Sequence, residues 1–169
     1  MLEKQVKEMK SFDEFDQLVN LSIESSYSVL PIELQQFLLT ISAFPSTFDV
    51  QAAAFLFDIL ASDCKDILRK LLSYNLIEVE QQNRYHLHGL IRMFLTKKKK
   101  IFGDDVVNKW NARFIDYYLK YLESVNYDYL LGNEAGLRLF DVERHNIEAA
   151  MQMAEEQSDD LFSSFALAG

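Results

Sequence analysis

Apolar residues recur at helical spacing along most of the chain, so the pattern predicts a mainly helical protein. The apolar stripe of the first predicted helix consists of Phe12, Phe15, Leu18, Val19 and Ile23. Pro31 predicts the start of a second helix, because its fixed φ suits the first helical position, and Pro45 predicts its end. The apolar stripe of that second helix consists of Leu34, Phe37, Leu38, Ile41 and Phe44.

Local signals at breaks in the chain predict the next two helices. Asp49 is a natural N-cap, because its carboxylate can accept hydrogen bonds from the free N–H groups of a first turn. The three alanines at 52–54 predict that this helix packs closely against a neighbour. Ser62 or Asp63 is expected to cap the following helix, and Asn75 is expected to end it.

The period of the pattern changes after Asn75. In residues 76–80 and 84–87, apolar and polar side chains alternate, or the side chains are β-branched and aromatic. The polar residues 81–83 separate these two runs. This predicts a short two-stranded β-hairpin, which helices must cover because it cannot bury its own apolar face. The next helix begins at once and ends in the lysines 97–100, where cations favour the negative end of the helix dipole.

These elements predict two regions after an N-terminal helix at residues 1–21. Three helices, a small hairpin and a further helix follow the order of a winged-helix domain, which we predict at residues 22–100. Residues 101–169 are predicted to form an antiparallel helical hairpin region. An apolar helix that stops at Gly169 predicts a truncated chain holding only the start of an α-helical repeat region, since two helical hairpins are too few for a stable array.

Within this helical segment, Gly103 and the two aspartates after it mark a helix start. Its broad aromatic stripe consists of Val107, Trp110, Phe114, Tyr117, Tyr118, Tyr121 and Leu122. After an irregular stretch around 126–136, Asp141 is expected to open the next helix, with glutamates on its polar face. Its apolar face is expected to consist of Val142, Ile147, Ala150 and Ala154. One more helix is expected to begin near Leu161.

Composition narrows the possible functions. Of the 169 residues, 49% are hydrophobic and 25% are charged, which is typical of a folded protein. The formal charge of −9 makes the chain a poor general binder of nucleic-acid backbones or anionic lipid. The single cysteine, Cys64, excludes an internal disulfide, and the sequence contains neither a membrane span nor a secretory signal. We therefore expect a cytoplasmic protein that does not bind membranes.

No motif in the sequence predicts catalysis. The chain contains no phosphate-binding glycine loop, no HExxH, no GxSxG and no CxxC, so we expect no catalytic residue, no metal site and no enzyme activity in this chain itself. Cys64 lies near a helix start, where a thiolate is favoured, but without a histidine partner it is interpreted as a small semi-buried residue. Asp13, Glu14 and Asp16 are interpreted as a solvated helix face.

DNA binding is one alternative function for a winged helix. In that class of protein the third helix enters the major groove and the wing contacts phosphates. The third helix here offers Lys65, Arg69 and Lys70, and Arg84 is the positive residue beside the wing turn. Because phosphate contacts supply most of the affinity for nucleic acid, this small basic set disfavours DNA binding, which remains the alternative.

A helical scaffold for protein interaction is the other alternative. In that case the aromatic side chains of the long helix would seat a partner, namely Trp110, Phe114, Tyr117 and Tyr118. Large apolar stripes at helical spacing are more often part of a core, so the pattern favours burial of these side chains.

His88 lies where the second strand ends and the next helix begins. Free backbone N–H groups and the positive end of the helix dipole attract phosphates at such a position, and an imidazole there can donate a hydrogen bond to a phosphate oxygen. The alternative is that His88 simply caps the helix. The spacing alone favours this capping role.

The order of three segments resembles the winged-helix domain of STAND-type NTPases, the signal-transducing ATPases that include the plant NB-ARC disease-resistance proteins. The segments are TISAFPSTFDVQAAAFLF at 40–57, DILRKLLSYNLIEVE at 66–80 and RYHLHGLIRMFLTKK at 84–98. Within the third segment, Leu87, His88 and Gly89 occupy the position of the family's MHD motif. The segment FDVERHNIEAA at 140–150 is similar to the acidic helix that, in the family, precedes tetratricopeptide-like repeats.

The resemblance implies a regulatory module within a larger ATPase. In the family, the winged helix covers the nucleotide bound by an upstream P-loop domain, and the MHD histidine contacts the β-phosphate of ADP in the autoinhibited state. His88 would be that histidine, and ADP or ATP would bind only together with the upstream domain, not to this chain alone. The implied partners are that nucleotide-binding domain and the helical repeats within the same protein, together with other proteins.

Two positions near His88 bear on the strength of that implied role. Gly89 stands where the family usually has aspartate, so the contribution of that aspartate to the turn and to autoinhibition is missing. Arg92 is expected either to brace a nearby acidic residue or to be a surface arginine.

Overall fold

The computed structural model describes residues 17–168, except for the side chains of Asp104 and Asp159. This part of the chain forms eight helices and one small antiparallel sheet, which confirms the predicted mainly helical class. The helices are α1 (17–28), α2 (Ile32–Ile41), α3 (Val50–Phe57), α4 (Ala61–Ser73), α5 (Gly89–Lys99), α6 (Asp104–Leu130), α7 (Ala135–Gln157) and α8 (Asp159–Ala168). The strands are β1 (Glu78–Val79) and β2 (Tyr85–His86).

Helix α1 continues across the boundary predicted after residue 21 and packs on α5. The ring of Tyr27 meets that of Phe94 edge-on at 5.5 Å, and Lys98 Nζ lies 2.7 Å from the Glu24 carboxylate. Leu18, expected on the apolar stripe of this helix, is exposed. The other predicted stripe positions at 12 and 15, and the acidic residues at 13, 14 and 16, lie outside the described residues.

The second helix is shorter than Pro31 and Pro45 predicted. It begins at Ile32, with Pro31 at the N-cap position, and it ends at Ile41. The chain then tightens before Pro45, because the N–H groups of residues 43 and 44 bond to carbonyls only three residues back and Ser42 Oγ donates to the Leu39 carbonyl. The apolar stripe is nevertheless buried as predicted at Leu34, Phe37, Leu38, Ile41 and Phe44.

Asp49 and Asn75 act as the sequence predicted. The Asp49 carboxylate accepts a hydrogen bond from the Ala52 N–H at 2.8 Å. Asn75 adopts a left-handed conformation with φ of 53°, and the N–H groups of Asn75 and Leu76 bond to the carbonyls of Leu72 and Leu71. This is the Schellman arrangement that satisfies the free carbonyls at a helix end.

The start of α4 differs from the prediction that Ser62 or Asp63 caps it. Helix α4 begins at Ala61 after Leu60, with no side-chain cap, so residues 62 and 63 already lie in its first turn. The reason is the tight end of α3, where Asp58 has a φ of 64° and the Ile59 N–H bonds to the Ala54 carbonyl. The chain therefore enters α4 almost immediately.

The predicted hairpin is present, and it has an additional partner. Glu78 pairs with His86 and Val79 with Tyr85, and a short 3₁₀ turn at Gln81–Asn83 joins the strands. Phe48, between α2 and α3, forms an isolated antiparallel bridge to Tyr85 through two backbone hydrogen bonds of 2.8 and 2.9 Å. This bridge ties the α2–α3 connection to the hairpin.

The last three helices pack together, but the boundary between α6 and α7 differs from the prediction. Helix α6 continues to Leu130 and α7 begins at Ala135, so the irregular stretch is limited to 131–134 and Asp141 lies inside α7. Gly132, with a φ of 80°, turns the chain, and the Asn133 side chain accepts from the Ala135 N–H at 3.0 Å. Val142, expected on the apolar face of α7, is exposed.

One apolar core includes residues from both the hairpin-containing part and the long helices. Phe44 stacks on Phe48 at 4.5 Å and meets Phe114 of α6 at 5.4 Å. Of the four aromatic residues expected in the core, Phe114 and Tyr118 are fully buried, whereas Trp110 and Tyr117 are half-buried and pack against the core. Among residues 17–168, no helix combines the length and the apolar character needed to cross a membrane.

Candidate functional site

His88 is exposed at the N-cap position of α5. Its Nδ1 atom accepts a hydrogen bond from the Leu90 N–H at 3.3 Å, so the side chain caps the helix, as the spacing favoured. An accepting Nδ1 carries no proton, so in the neutral imidazole the proton is on Nε2 and Nε2 is a hydrogen-bond donor. Capping and donation to a phosphate oxygen are therefore compatible in one side chain.

The backbone next to His88 is uncovered at Gly89. A Cβ atom built at Gly89 meets no other atom within 4 Å. The first turn of α5 is therefore approachable at this point, and its backbone carries the partial positive charge of a helix N-terminus.

Arg92 braces the His88 junction through backbone carbonyls, and no acidic side chain contacts it among the described residues. Its Nη1 atom donates to the Pro45 carbonyl at 2.9 Å, and its Nη2 atom lies 3.5 Å from the Leu87 carbonyl. Burial lowers the pKa of the Arg92 guanidinium. Arg92 thus fixes the strand-to-helix junction to the loop between α2 and α3.

A buried polar cluster joins the hairpin to the long helices. We call it the Arg84 cluster, and it consists of Arg84, Glu143, Tyr118, Asn146 and Thr47. Arg84 Nη2 lies 2.6 Å from Glu143 Oε1, and the two side chains are 14% and 4% exposed. Glu143 Oε2 accepts from Tyr118 Oη at 2.9 Å and from Asn146 Nδ2 at 2.7 Å. The Thr47 carbonyl accepts from both Arg84 and Asn146 at 2.8 Å.

The geometry of the Arg84 cluster satisfies its buried charges. Glu143 accepts at both carboxylate oxygens, and Arg84 Nε also donates to Thr47 Oγ1 at 2.7 Å. The pKa of Tyr118 is raised by burial and by the neighbouring Glu143 carboxylate. A buried ion pair is costly unless such additional hydrogen bonds complete it, so the two parts of the molecule are held in one specific arrangement here.

The sequence did not predict this cluster, because Glu143 was assigned to the polar face of its helix. In the structure Glu143 and Asn146 are buried, at 3% and 0% exposure, and they lie three residues apart on the face of α7 that meets α6 and the hairpin. The local signal was an acidic residue and an asparagine at i and i+3, which share one helix face. Their inward orientation depends on Arg84, which lies 59 positions earlier in the sequence.

The four basic residues of the DNA-binding alternative do not form one surface. Lys65, Arg69 and Lys70 are exposed on α4, and Arg69 is paired with Asp66 at 2.8 Å. Lys65 and Arg69 line an open cavity of about 450 Å³ beside the hairpin turn. Arg84 instead points inward to Glu143.

Cys64 is fully buried in α4. Burial, with a smaller effect from Asp49, raises the pKa of its thiol to about 12. A thiol in that environment is a poor nucleophile, and Cys64 is more deeply buried than the semi-buried position that the sequence predicted. Within residues 17–168, no group of three or more His, Cys, Asp and Glu side chains is arranged to hold a metal ion.

Comparison of the chain with protein-family models, with curated proteins and with solved structures finds no match. The resemblance to STAND-type NTPases therefore rests on the order of the sequence segments at 40–57, 66–80, 84–98 and 140–150. Its functional consequences are proposals that the geometry of His88, Arg92 and the Arg84 cluster supports.

Proposed function

We propose that this chain is the regulatory winged-helix module of a cytoplasmic STAND-type signalling ATPase. His88 donates a hydrogen bond to the β-phosphate of ADP held by a separate nucleotide-binding domain and so favours the autoinhibited state. The chain itself contributes one wall of the nucleotide site and no catalytic group. The observation that carries this proposal is the exposed His88 imidazole on an uncovered helix start.

The order of elements supports the winged-helix part of the proposal. Helices α2, α3 and α4 precede the hairpin, and α5 follows it. Phe48, between the first two of these helices, pairs with Tyr85 in the last strand, so the α2–α3 connection extends the hairpin as a third strand would. In β2, Tyr85 and His86 are half-buried and Tyr85 stacks on Phe48 of the aromatic core, whereas Glu78 and Val79 in β1 are exposed.

The Arg84 cluster supports a role in coupling nucleotide binding to the position of the helical segment. Arg84 and His88 lie in one short segment that includes β2, and Arg84 is bound to α7 through Glu143. A movement of α7 that breaks this ion pair removes one of the contacts that position the segment carrying His88, while the backbone bridge between Phe48 and Tyr85 remains. The switch then has two distinguishable arrangements, which is what a ligand needs in order to shift a population.

The free energy of one hydrogen bond between His88 and a phosphate is sufficient for regulation. A hydrogen bond to a charged group contributes about 1.5–3 kcal/mol. A difference of about 1.4 kcal/mol shifts an equilibrium tenfold, so one imidazole–phosphate contact present in only one state changes the population of the active state measurably.

The test is ADP release from the protein that includes the nucleotide-binding domain. We expect His88→Ala to accelerate ADP release at least tenfold, since the variant lacks the phosphate contact. His145→Ala is the matched control, because His145 is exposed on α7 and should leave the rate unchanged. Equal release rates for His88→Ala, His145→Ala and the wild type would refute the proposed role.

A further inference from the structure

An apolar groove lies between α6 and α7 and is partly filled by α8. We call it the α6–α7 groove, and it has a volume of about 540 Å³. The apolar side chains that line it include Val125, Tyr129, Leu137, Phe140, Met151 and Phe165. Tyr129 and Leu137 are 52% and 51% exposed, so the open end of the groove presents large apolar side chains to solvent.

The same pair of helices already accepts one helix. Helix α8 packs on both α6 and α7, and its Phe165 is buried to 1% exposure. Gly136 explains the close packing at the open end, because a Cβ there would lie 2.8 Å from the Val125 carbonyl oxygen. At this point the floor of the groove is therefore formed by closely packed backbone of α6 and α7.

The net charge of the segment that forms the groove indicates the chemistry of its partner. Residues 123–168 contain ten Asp and Glu and two Arg, a formal charge of −8 within a chain whose total is −9. Glu148 lines the groove, and Glu155 lies one helical turn beyond Met151. Of the two arginines, Arg144 is already paired with Asp141. The segment that forms the groove is therefore strongly acidic, and Glu148 brings part of that charge to the groove lining.

We propose that the α6–α7 groove binds an amphipathic helix of another protein, with an apolar face flanked by Lys and Arg. The apolar face of such a helix covers Tyr129 and Leu137, as in other helix-in-groove complexes, and its basic flanks meet Glu148 and Glu155. A second copy of this chain is disfavoured as the occupant, since two copies of this acidic segment repel each other. This inference does not depend on the nucleotide contact of His88.

The direct test uses a synthetic peptide probe and the full chain. The probe is an amphipathic helix of about 18 residues, or five turns, with leucines at i, i+3, i+4 and i+7 and lysines at the other positions. We expect saturable binding by fluorescence anisotropy at about 0.15 M salt. A peptide of the same composition with scrambled order, and one with glutamates replacing the lysines, should each bind at least tenfold more weakly.

Matched variants locate the binding site. Leu137→Lys should weaken binding of the lysine peptide at least tenfold, because it places a cation inside the groove. Val142→Lys is the control, since Val142 is exposed on the same helix, does not line the groove and receives the same change of charge. Tyr129→Ser provides a second groove variant that does not add charge.

Three results would overturn the inference. The first is equal binding of the ordered and the scrambled lysine peptides. The second is an equal loss of binding in Leu137→Lys and Val142→Lys, which would show only general charge attraction. The third is a failure of the peptide to bind together with self-association of the chain that Leu137→Lys abolishes. That result would show that a second copy of the chain occupies the groove. Because no nucleotide is used, each result is independent of the proposed function.

Discussion

Arg84 Nη2 in the segment after the hairpin turn lies 2.6 Å from Glu143 Oε1 in α7, and both side chains are almost removed from solvent. The pair connects the part of the chain that carries His88 to the long helices. A buried ion pair of this kind is strongly destabilised when one partner alone is removed, because the remaining charge is left without compensation. This relationship allows the coupling between the two parts to be tested separately from nucleotide binding.

Glu143→Gln should lower the free energy of unfolding by about 3 kcal/mol, since it leaves the buried Arg84 guanidinium without its counter-charge. Urea unfolding monitored by circular dichroism measures the change. Glu148→Gln is the matched control, because Glu148 is an exposed glutamate on the same helix and should change stability by less than about 0.5 kcal/mol. Equal, small effects of the two substitutions would show that the ion pair does not hold the two parts together.

Lys99 should make stability depend on pH. Burial lowers the pKa of Lys99 to about 8 from its usual 10.5. Above about pH 8 the folded chain has lost this proton while the unfolded chain still binds it, so the free energy of unfolding rises with pH from about 8 towards 10.5. Lys99→Met should raise stability at pH 7 and remove this rise, measured below about pH 10, where tyrosines begin to ionise.

The neighbouring lysine supplies the control for that experiment. Lys100 is exposed at the end of α5, so Lys100→Met should leave the pH dependence unchanged. A Lys99→Met profile that is parallel to the wild type from pH 7 to about pH 10 would contradict the expected effect of burial.

Two glycines should respond in opposite ways to the same substitution. Gly89→Ala should stabilise the chain by about 0.5–1 kcal/mol, because the added Cβ meets no atom within 4 Å and alanine restricts the unfolded chain. Gly136→Ala should destabilise it, because the added Cβ lies 2.8 Å from the Val125 carbonyl oxygen. Thermal unfolding measures both, and stabilisation by Gly136→Ala would contradict the close contact between α6 and α7.

The DNA-binding alternative makes a separate prediction. With Arg84 paired to Glu143 and Arg69 paired to Asp66, we expect no saturable binding to duplex DNA at about 0.15 M salt. An electrophoretic mobility shift across a salt series measures this. Saturable binding would favour the alternative if Lys65→Glu and Lys70→Glu abolish it. Lys120→Glu on α6 is the control and should then leave the binding unchanged.

Much of the fold followed from local signals in the sequence. Asp49 and Asn75 were predictable because a cap and a left-handed stop depend on backbone groups within a few residues. The hairpin was predictable for the same reason, since its strands are close in sequence. Asp141 was wrongly assigned as the start of α7, because the turn at Gly132 and Asn133 gave a weaker pattern than the acidic residue that follows.

The candidate site was predictable only in part. The capping position of His88 follows from a strand-to-helix junction, and the structure places it there. The inward orientation of Arg84 and Glu143 did not follow, because a charged residue is usually solvated and the partner of each lies far away in the sequence. The carbonyl contacts of Arg92 were likewise not predictable, since they require the loop before α3 to pass close to α5.

The most direct test of the central claim compares ADP with AMP in the protein that contains the nucleotide-binding domain. If His88 contacts the β-phosphate, His88→Asn should weaken ADP binding at least tenfold and leave AMP binding unchanged, because AMP has no β-phosphate and asparagine still caps the helix. Isothermal titration measures both affinities. Equal ADP affinities of His88→Asn and the wild type, or an equal loss for ADP and AMP, would contradict the account.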